Sequence, residues 1–188
     1  MKTEILEKIR NCTECELSKL KINEWRPIDV PNFDRRKFFC IAQNPSYYRK
    51  GSDTQVFSTS SMNDQMFLRA IDEIGIGRCN CYVTNIVKCS TENNKDPSVY
   101  ISFCLPHLKR EFNYVNPDVV ILIGKITRDY FNVKCKNKII PTFFFGKFII
   151  LYAVSHPSYY VRRGCDYKEY MKEFEELKKY LDKNEAQN

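Results

Sequence analysis

The sequence predicts an α/β fold, a three-layer α/β/α sandwich with a central four-stranded parallel sheet. Three observations carry the prediction. Four short runs are rich in β-branched, aromatic and apolar residues, and helical patterns lie between them. The runs are also nearly continuous in apolar character, which fits a sheet covered on both faces. Strands that alternate with helices at this spacing form βαβ units, and a parallel sheet follows.

The elements are expected in this order. The first strand covers residues 37–42 (KFFCIA). A helix covers 62–74, with apolar residues at 62, 66, 67, 70, 71 and 74 on one face. The second strand is 81–87 (CYVTNIV). A helix over 97–114 opens on Asp96-Pro97, an N-cap followed by proline at the first helical position. The third strand, 118–123 (DVVILI), precedes a short helix over 126–131. Phe145-Gly146-Lys147 reads as a turn, so 139–145 adds a short extra strand before the fourth, 148–155 (FIILYAVS). A charged amphipathic helix over 167–181 closes the chain, and 183–188 is expected to fray.

The 188 residues fit one domain spanning 1–188, without repeats, low-complexity segments or linkers. A hydrophobic content of 43% with 28% charged residues is that of a globular chain. The opening MKTEILEKIR interleaves acids with apolar residues and is not a signal peptide. No apolar run approaches the roughly 20 residues needed to span a bilayer. A cytoplasmic monomer without a membrane partner is the expectation. Thirty basic and 23 acidic residues give a net charge of +7, which favours a polyanionic partner. A lysine-rich solvated surface would give the same charge.

Nine cysteines in a reducing compartment are not a disulfide framework, so metal or cluster ligation explains some of them. Cys12 and Cys15 form a C-x2-C pair that can grip one centre from a single turn. Cys89 and Cys104 bracket 14 residues, too wide for the second knuckle of a zinc ribbon. The two histidines, His107 and His156, have no H-x3–5-H spacing. Four thiolates around a cubane cluster tolerate loose spacing more readily. A four-thiolate site on Cys12, Cys15, Cys89 and Cys104 follows, with iron–sulfur modestly favoured and zinc still open. Cys79 and Cys81 are the rival ligands, and Cys40, inside the first strand, reads as a small buried hydrophobe.

Ligands of open α/β sheets bind beyond the carboxyl ends of the strands. There the sequence carries Gln43-Asn44-Pro45-Ser46, then Asn85 within Thr84–Cys89, then Gly124-Lys125, and finally Ser155-His156-Pro157-Ser158. Gly124-Lys125 lacks the preceding glycine and following Ser/Thr of a phosphate-binding P-loop. No G-x-S-x-G elbow supports a serine hydrolase.

Taken together, the early C-x2-C, Thr84-Asn85-Ile86-Val87-Lys88-Cys89, Cys104-Leu-Pro-His-Leu, Asn116-Pro-Asp-Val-Val-Ile-Leu-Ile-Gly124 and His156-Pro157-Ser158 resemble the uracil-DNA glycosylase superfamily. The iron–sulfur branch, family 4, is the most similar. The resemblance covers nearly the whole chain in order, and it implies a four-stranded parallel sheet and a structural [4Fe–4S] cluster on the four cysteines. It further implies that Asn44 positions the water that attacks C1′, and that His156 stabilises the departing base through O2. Asn85 would read the base edge, with Phe57 stacked on its face and Gln43 and Ser46 lining the pocket. Ser158 would hold a phosphate, while Arg162 and Arg163 lie in the segment that enters the duplex as the nucleotide flips.

The first motif departs from family 4, which usually carries an acid where this chain has Gln43-Asn44. It looks more like the Gln-Asp-Pro or Asn-Pro of other branches. Asparagine orients water but cannot take its proton, so catalysis would rest on leaving-group stabilisation. Classical uracil enzymes place a tyrosine after this proline to block the thymine methyl. Ser46 stands there instead, unless Tyr47 takes that place, so a C5-substituted pyrimidine is an alternative substrate, as in restriction of modified foreign DNA. A non-catalytic DNA-binding or damage-sensing protein on the same fold is the alternative function.

Overall fold

A computed structural model describes residues 2–20, 36–46, 57 and 61–185. Helix α1 (Lys2–Arg10) and a 3-10 turn (Glu16–Leu20) flank Cys12 and Cys15. Then follow β1 (Phe38–Ala42), α2 (Met62–Glu73), β2 (Cys81–Asn85), α3 (Ile101–Val115), β3 (Val119–Ile123) and α4 (Lys125–Tyr130). The chain ends with β4 (Ile140–Phe144), β5 (Lys147–Val154), α5 (Pro157–Arg162), α6 (Tyr167–Met171) and α7 (Glu175–Glu185).

The sheet order is β2-β1-β3-β5-β4. Strands β1, β2, β3 and β5 are parallel, as expected, and β4 pairs antiparallel with β5 at the edge. That fifth strand is the short extra one read at 139–145. The hairpin turns on Phe145 (φ 48°) and Gly146 (φ 87°), two positive values of the kind that match the strand twist. Phe145 is a poor residue for that conformation, but its ring packs edge-on to Phe112 at 5.4 Å.

Alternation along the strands divides the core into two layers. Phe38, Cys40, Ala42, Val119, Ile121 and Ile123 face α2 and the C-terminal helices through Phe67, Ile71, Phe174 and Leu177. Phe39, Ile41, Tyr82, Val120 and Leu122 face α3 through Leu108 and Phe112. β1, β2 and β3 are buried along their whole lengths, so neither face of the central sheet meets water.

Several boundaries move. β2 ends at Asn85, not at 87. The next amides still bond the end of β1 and the loop after it, Ile86 N–H to Ala42 O at 2.8 Å and Val87 N–H to Gln43 O at 3.0 Å, while the backbone turns away. The 97–114 helix begins as a 3-10 turn (Ser98–Tyr100), with the Asp96 carboxylate accepting the Ser98 N–H at 2.8 Å. The closing helix is broken by a 3-10 turn (Lys172–Phe174) where Glu173 turns inward. The tail expected to fray from 183 continues as helix to Glu185, and 186–188 lie outside the described residues. Among the described residues no helix is long and apolar enough to cross a membrane.

Candidate functional site

The chain enters the sheet at β1, runs outward to β2 at the edge, then returns to β3 on the other side of β1. The reversal opens a crevice beyond the carboxyl end of β1. A cleft of about 680 Å³ lies there, and Gln43, Asn44, Ser46, Phe57, Asn85, His156, Ser158 and Arg162 all line it. Eight residues read from four separate segments therefore share one cavity. Arg163 does not line it. Its guanidinium donates to Tyr159 Oη at 2.6 Å and lies 5.0 Å from that ring. Tyr47, which bears on the reading of Ser46, lies outside the described residues.

His156 caps α5, a helix the sequence did not announce. Its Nδ1 accepts the Ser158 N–H at 3.2 Å and lies 2.8 Å from Ser158 Oγ. An acceptor Nδ1 needs its lone pair, so a neutral ring carries its proton on Nε2, where it can be donated. The ring approaches β3 closely. A Cβ on Gly124 would stand 3.3 Å from His156 Cβ, and Gly124 has φ +98°. This glycine serves backbone geometry and room for the histidine. Phe57, 4% exposed, packs 4.5 Å from Phe67 and 6.0 Å from the His156 ring.

Asn85 ends β2 beside Ala42, 2% exposed. Its backbone carbonyl accepts from Lys88 Nζ at 2.5 Å. Asn44 is half-buried and donates from Nδ2 to Pro45 O at 3.1 Å.

The cleft also takes in Lys125, which the sequence offered only within the strand-end pair Gly124-Lys125, and Asn63, Asp64, Asn94, Arg128 and Lys136, none of them singled out by the sequence. Asn63 Oδ1 is buried with no hydrogen-bond partner. Lys125 and Arg128 are partly neutralised by Asp129. Lys136 is held by Glu173 and by Ser155 Oγ at 2.9 Å. Glu173 is only 2% exposed, and burial pushes its carboxyl up. The Lys136 ammonium, the Tyr160 hydroxyl and Ser155 outweigh that and hold it below the ordinary glutamate value. The carboxylate accepts the Ser155 N–H at 2.5 Å, one residue before His156.

Cys15, Cys89 and Cys104 belong to the α3-side core, with Cys89 and Cys104 buried and Cys12 and Cys15 half-buried. Burial raises the Cys104 thiol. The Lys88 N–H, which donates to its Sγ at 3.4 Å, lowers it, and the nearby Cys15 and Cys12 raise it again. Cys12 and Cys15 thus lie within electrostatic reach of Cys104, and Cys89 shares its core layer. Among the described residues no three His, Cys, Asp or Glu side chains close on the position of a single metal ion. Cys81, the rival, lies 3.8 Å from Cys40 in the other core layer, where burial raises its thiol well above the usual range.

The model of the Uracil DNA glycosylase superfamily matches residues 30–182. The Type-4 uracil-DNA glycosylase of Archaeoglobus fulgidus is 24% identical over 187 residues, covering 93% of this chain and 90% of that protein. The enzyme of the same name from Thermotoga maritima is 25% identical over 175 residues, 84% of this chain and 82% of that one. The one from Saccharolobus solfataricus is 26% identical over 136 residues, covering 71% of this chain and 60% of its own length.

Proposed function

The chain belongs to the uracil DNA glycosylase superfamily, alongside its type-4 enzymes, and on that premise we propose that this DNA glycosylase flips a pyrimidine out of DNA and hydrolyses its N-glycosidic bond. The extruded base enters the cleft beyond β1, with Phe57 on its face and the Asn85 amide on its Watson–Crick edge. As the C1′–N1 bond breaks, its electron pair passes to the base, and His156 Nε2–H donates to the O2 that gains charge. Asn44 orients the water whose oxygen bonds to C1′. That water's proton leaves to solvent or to the base, because an amide cannot take it. The product is an abasic site. The observation that carries this reading is the Nδ1 hydrogen bond from Ser158, which turns the donor end of His156 away from the helix it caps.

DNA is the partner in this reading and the acting form is a monomer. Ser158 and Arg162 contact phosphates inside the cleft, with Arg163 beside them at its edge. Lys125, Arg128 and Lys136 add charge along the same path. The four cysteines fit an iron–sulfur group by donor chemistry, with Cys12 and Cys15 near Cys104 and Cys89 in the same core layer. Cys12, Cys15, Cys89 and Cys104 would hold a [4Fe–4S] cluster. When bound, it would supply a crosslink between the N-terminal segment, the end of β2 and α3.

A second reading of the substrate has its own support. Uracil offers one donor, N3–H, and Asn85 uses it. Asn63 Oδ1 is a further buried acceptor on the cleft, and Ser46 is small. A pyrimidine carrying a donor on C5, such as a hydroxymethyl group, would satisfy both.

A panel of strands carrying uracil, mismatched thymine and C5-substituted pyrimidines, single- and double-stranded, tests these readings. Abasic product from any of them is expected. DNA binding with no abasic product overturns the enzyme and favours the damage-sensing alternative. Activity on uracil alone overturns the C5 reading. Anaerobically purified protein should be brown, absorbing at about 400 nm as iron–sulfur centres do. Colourless protein with bound zinc overturns the cluster.

A further inference from the structure

Between the cleft and Cys104 lies a buried charge pair that no step of the proposed reaction uses. Lys88 is 5% exposed and Glu111, on α3, is 0% exposed. Their side chains form an ion pair. The Glu111 carboxylate also accepts the Tyr82 hydroxyl at 3.0 Å and the Thr84 hydroxyl at 2.9 Å. Lys88 Nζ donates to Thr84 Oγ1 at 2.9 Å and to the Asn85 carbonyl at 2.5 Å. These partners lie on β2, the turn after it, and α3.

A charge pair is not the simplest way to fasten a helix to a sheet. Desolvating two charges offsets much of their attraction, and apolar side chains of similar volume often hold as well. What apolar side chains cannot supply is a donor for the Asn85 carbonyl. β2 is an edge strand that ends at Asn85, and the Ile86 N–H still ties the N–H side of the Asn85 peptide to Ala42 O of β1 at 2.8 Å. Among the described residues the carbonyl side has no strand to meet, and the ammonium holds it instead. Lys88 has a second attachment, since its own N–H bonds Cys104 Sγ. One residue thus fixes the peptide of the base-reading residue and touches the cysteine site.

We infer that Lys88 and Glu111 are positioning residues for base recognition, holding Asn85 at the angle that grips the extruded pyrimidine. This rests on the glycosylase reading above. Their role is separable from folding, because a neutral pair can keep the hydroxyls satisfied. In the double variant Lys88→Met/Glu111→Gln, the carbonyl of the introduced glutamine still accepts from Tyr82 and Thr84, and no charge is left buried alone.

The experiment compares single-turnover base release, affinity for abasic-site duplex, thermal midpoint and iron content, in wild type and in K88M/E111Q. The expected result is a folded variant with wild-type iron content and a midpoint shifted by no more than about 5 °C, as a swap of about 1 kcal/mol gives in a domain of this size. Its affinity for abasic DNA should lie within about threefold, while base release slows by roughly 10- to 100-fold, the usual cost of a lost supporting contact. A purely structural pair would lower all four readouts together, and that outcome overturns the inference. So does a folded variant that releases base at the wild-type rate. If the double variant does not fold, Glu111→Asp replaces it, drawing the ammonium back by one methylene without changing charge. A folded E111D with wild-type base release overturns the inference, and selective slowing supports it. Wild-type protein that cleaves no strand of the panel overturns the glycosylase reading itself, and this inference with it. Cleavage by wild type and unimpaired double variant refutes the inference alone.

Discussion

Of the three buried carboxylates among the described residues, Asp64 lines the cleft while Glu111 and Glu173 stand behind it, one on each side, and these two differ in what neutralises them. Glu111 faces Lys88, whose side chain is 3% exposed, behind Asn85, the proposed base reader. Glu173 faces Lys136, which keeps 39% of its side-chain exposure and lines the cleft in front of His156. The first pair is sealed and has one possible arrangement. The second shares its cation with the space where DNA phosphates would pass. A pocket that reads a base needs a fixed amide on one wall. The wall that meets the backbone can use a cation able to change partners.

The largest expected effect tests the His156 wall. His156→Ala should lower single-turnover base release by roughly 10²- to 10³-fold, the cost of removing one donor to a developing anion. Affinity for abasic duplex should stay near wild type. A variant with full activity removes His156 from the mechanism and leaves the two walls without distinct roles.

Stability separates the carboxylates next. Glu111→Gln alone leaves the Lys88 charge without its counter-ion in a sealed site and should cost about 3–5 kcal/mol. Glu173→Gln should cost less, roughly 1–3 kcal/mol for charged hydrogen bonds to Ser155 and Tyr160, because Lys136 can turn to water. Urea denaturation of the two variants measures the difference. Equal losses would erase the contrast between sealed and shared pairs.

Acid sharpens it further. The Glu173 carboxyl lies below the ordinary value of 4.5 in the folded chain. A depressed folded value gives stability that is fully present above the unfolded value and lost as pH falls through the folded one. The gap between wild type and Glu173→Gln should therefore hold steady above about pH 5 and shrink below about 4.5. A gap that widens on acidification would mean the carboxylate is not the stabilised form.

The smallest effect concerns phosphate contacts. Arg162→Ala should reduce the salt slope of DNA binding by about 1. Arg163→Ala should change it less, since Arg163 is engaged with Tyr159 and does not itself line the cleft. Equal slopes for both variants would place the two arginines in one role.

Much of this was legible in the sequence. The four parallel strands declared themselves because buried strands are apolar along their whole length, and eight residues, read at strand ends or, like Phe57 and Arg162, through the resemblance, meet in one cleft. The carboxylates were not legible. Glu111 and Glu173 occupy helical stretches dense in charge, where nothing local separates an inward acid from a solvated one. Lys136 escaped because it lies in an irregular segment between α4 and β4, and only the fold brings it beside Ser155. The end of β2 was misplaced because Ile86 and Val87 continue the apolar pattern after the strand has turned. Helix α5 was missed because six residues opening on His156-Pro157 carry too little periodicity to register.

Gly124 contributes no functional group, yet a single added carbon there would press on His156 from 3.3 Å and strain a backbone already at φ +98°. A saturation survey of the chain would therefore record an intolerant position whose chemistry lies entirely in its neighbour. Inherited variation at this site is confined by clearance, not by reactivity. A damaging substitution here would look, in a purified sample, like a well-folded protein with a misaimed imidazole.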